Sequence, residues 1–521
     1  MIKILRELAP IIIILTIGIF FRIYYINFGL PQSFYADEPE IAEPAIKYTY
    51  EIRSIIKNND YYKLIPVSFV YGTFPTYSYT AAVMVFSKIL EILNINFEKM
   101  DLYVFMRIIN AFISSLVMPL SAFLYYKLFK DKFGVIATTL ITAMSWKFIV
   151  TAHYINVDTV LTALMLTSFI TLYSYVIGKK PVLSTILTGI LFGLAVGTKV
   201  TAALSLPLFL YIFLYKKDVK GFLAFVLISF GIFSLTNPFS IIFARNFAFR
   251  TIYLSTKESG VVFDSVNSNP LKYILALFYI LTPPVFLLSL YGKFKSLKLP
   301  TKERSLHLFL IGNVLTYLIF YTLSHRLVDR WLMPIIPIVI IYSAHGISIL
   351  KSKLKGTYFT MVAILLLLIY LYFPVLLLFQ FKRQTPKSES YLWAKENLNP
   401  ISSKLVITEE GLDPLYKLPS SKVMKSEVYA SQGAQYVYPL NAELFNYVIL
   451  SSRPMENFKR KEVRIKFPEY SKRWSEFEKN VKDLNKFKLI KSFELPRPNI
   501  IPLSNVYVYE NIKLARTKDN L

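Results

Sequence analysis

The chain has 521 residues, 54% of them hydrophobic, and a mean hydropathy of +0.46. Repeated apolar runs of about 20 residues, the length a bilayer core demands, exclude an ordinary soluble protein, and the lack of short alternating segments excludes a β-barrel. The formal charge of +26 does not point to nucleic acid, because the lysines cluster between apolar runs, and zero cysteines exclude disulfides, thiolate metal sites and a Cys nucleophile.

The first element, "MIKILRELAPIIIILTIGIFF", has a basic start and an apolar run but no small-residue cleavage site, which reads as an uncleaved signal anchor. Spans are predicted near 8–28, 102–126, 133–152, 157–178, 182–199, 201–215, 220–238, 271–292, 306–324, 331–350 and 357–378. Lys3, Arg6 and the clusters "KLFKDK", "GKK", "YKKDVK", "GKFKSLKLPTKER" and "KSKLKG" then share one side, which the positive-inside rule makes cytoplasmic. Residues 73–95 are long enough to span. Inserting them would turn every later lysine cluster outward, so they read as an interfacial helix in a large first outer loop, about 29–100. The fold class is an α-helical polytopic membrane protein over residues 1–382, with about eleven spans and a cytoplasmic N-terminus. Residues 383–521 turn polar and read as a small extracytoplasmic α/β domain. Its strands are "KLVIT", "YVILSS" and "NVYVYE", and its helices "SESYLWAKENL" and "EYSKRWSEFEKNVKDLNKF".

The polar residues outside the lysine clusters gather on the other side. "FYADEPEIAEP" holds Asp37, Glu38, Glu40 and Glu43. It reads either as an acidic, Pro-containing helix start or as a general base held at the membrane surface. In "AHYINVD", His153 and Asp158 bracket a turn; Asp158 is either a cap for the next helix or, with His153, part of a substrate path at the lip of the bundle. Arg107 in "LYVFMRIINAF", Lys199 ending "GLAVGTK", and Arg330 in "SHRLVDRWLMPIIP" (with His325, Arg326 and Asp329) each read alone as an interfacial anchor or as a ligand for a lipid phosphate. Their convergence on the carboxylate side favours the second reading. No nucleotide-loop, serine-hydrolase or HExxH pattern occurs. Four histidines without cysteine argue against a thiolate or His-rich zinc site, while a carboxylate site for Mg²⁺ or Mn²⁺ stays open.

The order "DEP", "AHYINVD", "GLAVGTK", "RWLMPIIP" resembles membrane glycosyltransferases of the GT-C fold. It is most similar to the dolichyl-phosphate-mannose–protein mannosyltransferases (glycosyltransferase family 39), with lipid A aminoarabinose transferases and oligosaccharyltransferase subunits as wider relatives. The resemblance covers roughly residues 1–350. It implies a sugar donor on a polyprenyl phosphate, dolichyl or undecaprenyl, and transfer on the outer face of the cell membrane to a lipid, glycan or protein acceptor. It places Asp37 and Glu38 as the catalytic acid pair, Asp158 and His153 at the acceptor or sugar, and Arg107, Lys199 and Arg330 at the phosphate. One departure stands out: relatives often carry Lys-Pro where this chain has Phe74-Pro75; Arg53, Lys47 or Lys63 are the candidates to substitute, without support from spacing.

A sugar on a polyprenyl phosphate already has a good leaving group. What remains is to stabilise the departing charge with cations and to activate a poorly nucleophilic hydroxyl with a carboxylate. Asp37 is the expected base of a single inverting displacement; a retaining route would need a second, nucleophilic carboxylate. The competing readings are a transporter or flippase of lipid-linked substrates, which should show related halves and midplane polar groups, and a non-catalytic envelope assembly partner.

Overall fold

The computed structural model describes residues 2–35, 37–66, 69–263, 266–298, 301–398, 405–408, 421–424, 442–495 and 498–516. It divides into two compact units. The first, Met1–Ile26, Asp37–Ser255 and Asn267–Leu378, is helical. Its helices are α1 (Ile2–Ile23), α2 (Glu38–Lys57), α3 (Thr73–Ile92), α4 (Lys99–Phe129), α5 (Lys132–Ala143), α6 (Trp146–Ala152), α7 (Val157–Val176), α8 (Pro181–Thr198), α9 (Leu206–Tyr215), α10 (Val219–Thr236), α11 (Pro238–Ile242) and α12 (Ala244–Ser255). After α13 (Lys257–Phe263), which lies in the second unit, come α14 (Lys272–Leu281), α15 (Pro283–Ser296), α16 (Thr301–Leu323), α17 (Ile336–Lys353) and α18 (Gly356–Phe381).

Among the described residues six helices are long and apolar enough to cross a membrane, or eight if two bent pairs each count as one span. The pairs are α5–α6, bent by 50°, and α14–α15, bent by 107°. Leu8–Ile23 and Val200–Tyr215 are shorter apolar helices. With α17, every one of the expected spans falls on a helix or a bent pair. Helix α3 forms where the interfacial helix was expected and is not among the six.

Two local causes shape this unit. The α14–α15 bend sits at Thr282, before Pro283 and Pro284, which lack backbone donors and disfavour helical geometry in the preceding residue. The α5–α6 break is held by Arg22, fully buried at the end of α1. Its Nη1 donates to Ala143 O (2.9 Å) and Gly18 O (2.8 Å), its Nη2 to Thr142 O (3.0 Å) and its Nε to Ser114 Oγ (3.2 Å). A cation thereby satisfies the carbonyls orphaned where α5 ends, at the negative end of its dipole. Of the six single helices α7 is the most enclosed, 67% buried over its apolar window against 11% for α10, so α10 presents apolar surface suited to lipid. Helices α15 and α17 meet at glycines: a Cβ on Gly292 would stand 2.1 Å from Tyr342 O, and one on Gly346 2.2 Å from Leu288 O. Small residues are what allow such close backbone approach.

The second unit comprises Asn27–Ala36, Thr256–Val266 and Phe379–Leu521. Its sheet has strands β1 (Leu405–Thr408), β2 (Ser421–Met424), β3 (Tyr447–Ser451), β4 (Phe487–Phe493) and β5 (Val506–Asn511) in the order β2-β1-β3-β5-β4. Strands β1, β2 and β3 run parallel, and β5 pairs antiparallel with both β3 and β4. Alternation along β3 explains the two layers. Val448 and Leu450 pack on Trp474 and Phe477 of α19 (Pro468–Val481), while Ile449 packs with Ala394 and Leu398 on the other side. The three expected strands fall on β1, β3 and β5. Strand β4, at the sheet edge with exposed Lys488 and Lys491, begins at Phe487, the last residue of the second expected helix, and was not itself expected. Residues 399–404, 409–420, 425–441, 496–497 and 517–521 of the expected C-terminal domain lie outside the described residues.

Replacing Gly346 by Leu should force α15 and α17 apart. Overpacking costs about 1–3 kcal/mol, expected as a lower unfolding midpoint of the full chain in detergent, with Gly346→Ala intermediate.

Candidate active site

The four acids of "DEPEIAE" take four different settings. Asp37 stands at the N-cap of α2 but makes no capping hydrogen bond with its side chain. Its Oδ2 instead accepts from Arg330 Nη2 and, at 2.8 Å, from the Tyr71 hydroxyl. Glu38 is fully buried: Arg107 Nε donates to its Oε1 and Nη2 to its Oε2, both at 2.7 Å, and the Ile155 N–H adds a third bond to Oε1 at 3.0 Å. Glu40 opens to the surface. Glu43, expected as a first-turn helix acid, lies a turn later and ties α2 to α4 through Lys99 and the Tyr103 hydroxyl, each at 2.6 Å.

Asp158 sits in the first turn of α7, whose cap is Asn156, not Asp158: Asn156 Oδ1 accepts from Thr159 N–H at 2.9 Å. This leaves the Asp158 carboxylate for Lys199, whose Nζ is 2.7 Å from Oδ1, and for Arg330, whose Nη1 is 3.6 Å from Oδ2. Arg330 lies on the single 3-10 turn Asp329–Leu332 and so touches two carboxylates at once. The same turn is pinned by Asp329 to Lys147 of α6 at 2.6 Å. The Trp331 ring lies beside the Lys199 ammonium (5.7 Å) and the Arg326 guanidinium (5.2 Å).

Exposure separates the acids. The Asp37 side chain is 30% exposed, Asp158 1% and Glu38 0%, so of the three only Asp37 can meet an incoming substrate without rearrangement. Burial pushes the Asp37 carboxyl up, but the Arg330 charge and the hydrogen bonds from Tyr71 and Arg330, with Lys199 further off, outweigh it and hold the carboxyl below the ordinary value of 3.8. The stability this carboxylate contributes is therefore fully present above that pH and is lost as pH falls through the lowered value.

The structure brings Asp37, Asp158, Lys199 and Arg330 into one cluster. It turns the other expected site residues inward. Arg107 faces Glu38 and, through Nη1, the Ile26 carbonyl at 3.0 Å, with no exposed surface. His153, also fully buried, lies 2.8 Å from the carbonyls of Ile149 and Tyr24 and ties the end of α6 to the end of α1. Lys47 and Lys63 pair locally with Glu51 and Asp60 at the surface. Sequence reasoning missed Tyr71 and Lys147. No local signal marks a functional tyrosine in a chain with 37 of them, and Lys147 lies inside an expected span. Among the described residues no group of three His, Asp or Glu side chains could hold a metal, and the site carboxylates are engaged by cations instead.

Residues 13–249 match the family described as dolichyl-phosphate-mannose-protein mannosyltransferase, PMT. No curated protein matches the chain by sequence. Solved structures share its fold. ArnT from Cupriavidus metallidurans bound to undecaprenyl phosphate aligns over 97% of this chain and 98% of its own, at 14% identity and a TM-score of 0.56. The Archaeoglobus fulgidus oligosaccharyltransferase, a complex with zinc and sulfate, aligns over 84% of this chain and 67% of its own, at 15% identity and a TM-score of 0.51. The family match over residues 13–249 and the fold shared with these solved structures indicate a membrane glycosyltransferase with the GT-C fold. The matched residues 13–249 include every expected site residue except Arg330.

Replacing Arg107 by Met leaves the Glu38 charge buried and unpaired. A loss of about 3–5 kcal/mol is expected, measured as thermal unfolding in detergent. The double variant Arg107→Met with Glu38→Gln should recover most of it, because the buried charge is gone as well.

Proposed function

We propose that the chain moves a sugar from a polyprenyl phosphate, dolichyl or undecaprenyl, to a hydroxyl-bearing protein, lipid or glycan acceptor. The reaction takes place at the extracytoplasmic face of the cell membrane, as a single inverting displacement with Asp37 as general base. The observation that carries this reading is the shared guanidinium: Arg330 contacts the reachable carboxylate of Asp37 and the buried one of Asp158.

The acceptor oxygen forms the new bond to the anomeric carbon. The bond from that carbon to the phosphate oxygen breaks, and its electron pair leaves with the polyprenyl phosphate. The acceptor proton passes to Asp37. In the resting cluster two carboxylates (Asp37, Asp158) balance two cations (Lys199, Arg330). Protonation of Asp37 removes one negative charge and leaves the cluster with an excess of one positive charge. The departing phosphate gains one negative charge in the same event, so Arg330 and Lys199 become more attractive to it as it leaves. Asp158 keeps both cations in place throughout.

Glu38 and Arg107 are assigned a positioning role: their buried pair fixes the start of α2, and so Asp37. His153 acts likewise through the junction of α1 and α6. The polyprenyl chain is assigned to an apolar groove of about 300 Å³ between α3, α4 and α7, lined among others by Phe74, Pro75, Ile109, Ile113, Val160 and Leu164. Its α7 wall starts two residues beyond Asp158, as a lipid phosphate at the cluster requires. The lysine clusters on the opposite ends of the spans favour a cytoplasmic N-terminus and an extracytoplasmic site and C-terminal unit. No step requires a metal.

Purified full-length protein in nanodiscs, given radiolabelled dolichyl phosphate mannose and a Ser/Thr-rich peptide or membrane lipid extract as acceptor, should form labelled product. Asp37→Asn should lower transfer about 10²–10⁴-fold; full transfer by that variant would remove the base assignment. Arg330→Gln should slow turnover roughly 10²–10³-fold. It should also move the acid limb of the pH profile upward, because the charge that opposes burial at Asp37 is lost.

A further inference from the structure

Tyr71 donates its hydroxyl to Asp37 Oδ2, the same oxygen that Arg330 Nη2 engages, and Arg330 Nη2 lies 3.4 Å from the Tyr71 oxygen. Both donors therefore load one carboxylate oxygen. Asp37 Oδ1 accepts no hydrogen bond among the described residues.

The backbone beside Tyr71 is fixed by a second network. The Gly72 N–H donates to Thr198 O at 3.1 Å, the Thr73 N–H to Asn237 Oδ1 at 2.6 Å, and the Thr73 hydroxyl to Thr236 O at 2.5 Å. Asn237 Nδ2 closes the network on Gly197 O at 3.1 Å. There is no space for a side chain at position 72, where a Cβ would stand 1.8 Å from Gly197 O. The segment that brings Tyr71 to Asp37 is thus seated on the last two residues of α8. The next residue is Lys199, which brings its ammonium to Asp158.

We infer that Tyr71 is a positioning residue for the base: with Arg330 it holds the Asp37 carboxylate by Oδ2 and leaves Oδ1 as the atom that takes the acceptor proton. This rests on the reading of Asp37 as base. An unrestrained carboxylate presents either oxygen over a range of angles; two donors on one oxygen select one orientation, as a reaction with a fixed line of attack requires. The seat of Gly72 on Thr198 then ties that orientation to the position of Lys199, so base and phosphate-side cation are set by one junction.

The groups that face Asp37 are Tyr71 from the segment before α3, Arg330 from the 3-10 turn, Lys199 from the end of α8, and Glu40 from α2 itself. Tyr71→Phe leaves all the charges in place and withdraws the hydroxyl that donates to the charged carboxylate and accepts from Arg330 Nη2. Protonation of Asp37 therefore shifts to higher pH in the variant.

The test uses full-length Tyr71→Phe in nanodiscs with dolichyl phosphate mannose as the donor probe. Turnover should fall roughly ten- to a hundredfold, with the donor KM within about threefold, and the acid limb of kcat should move to higher pH. The Asp37 titration, read without any donor as the infrared carboxyl difference between the protein and Asp37→Asn, should move the same way. Unchanged turnover with an unmoved titration would overturn the role of Tyr71 while an inactive Asp37→Asn leaves the base reading standing. Activity in Asp37→Asn would instead remove the base reading itself.

Discussion

Arg330 reaches across 293 residues of sequence to Asp37 and, with its other terminal nitrogen, to Asp158. A guanidinium stays charged at any accessible pH, and enclosing it costs free energy unless carboxylates compensate. One carboxylate would neutralise it and leave an inert pair. Two carboxylates, one of them shared with Lys199, give a four-charge cluster that sums to zero and can lose or gain a proton without losing its shape. Its members come from the start of α2, the first turn of α7, the end of α8 and the 3-10 turn before α17. The cluster therefore exists only when all four helices are seated, which makes helix packing in the apolar region a condition of the polar chemistry at its end.

The bent spans serve that seating. Because α5 stops at Ala143, α6 leaves at a new angle and carries Lys147 to Asp329 and His153 to the end of α1. Arg22 stabilises the break by capping the carbonyls it exposes. Three cations of the helical unit thus do different work: Arg22 ends a helix, Arg107 locks an acid, and Arg330 joins two acids. All three are arginines, the side chain whose planar fork serves several acceptors at once.

That difference marks what the sequence can and cannot convey. The spans are legible because a bilayer-length apolar run has few other uses. Asp37, Asp158, Lys199 and Arg330 were legible as a group, since each falls at the same end of a span. The direction each side chain takes was not. Arg107 at the start of a span reads the same whether it faces a phosphate or Glu38. Asp158 and Asn156 are both good caps, and only geometry shows that Asn156 takes the backbone and frees the acid. Tyr71 gave no signal because its role depends on a close backbone approach between segments 125 residues apart, Gly72 and Gly197, and two glycines so far apart in sequence do not announce a contact.

Burial then separates the members of the site by how freely each can move. Glu38, Asp158, Arg107 and His153 have almost no exposed surface; a charge or ring enclosed in this way is expensive to move and well suited to fixing its neighbours. Asp37 alone among the three central acids keeps surface, and it is also the one whose bonds come from groups that can yield, a phenol and one end of a shared guanidinium. In the role proposed for it, Asp37 must release its stabilising partners in part as it takes a proton. Asp37 can do so while Arg330 remains held by Asp158, whereas protonating Glu38 would break a fully enclosed bidentate pair and the Ile155 bond together. Adjacent in sequence and alike in chemistry, the two acids differ in burial and in the cation each meets.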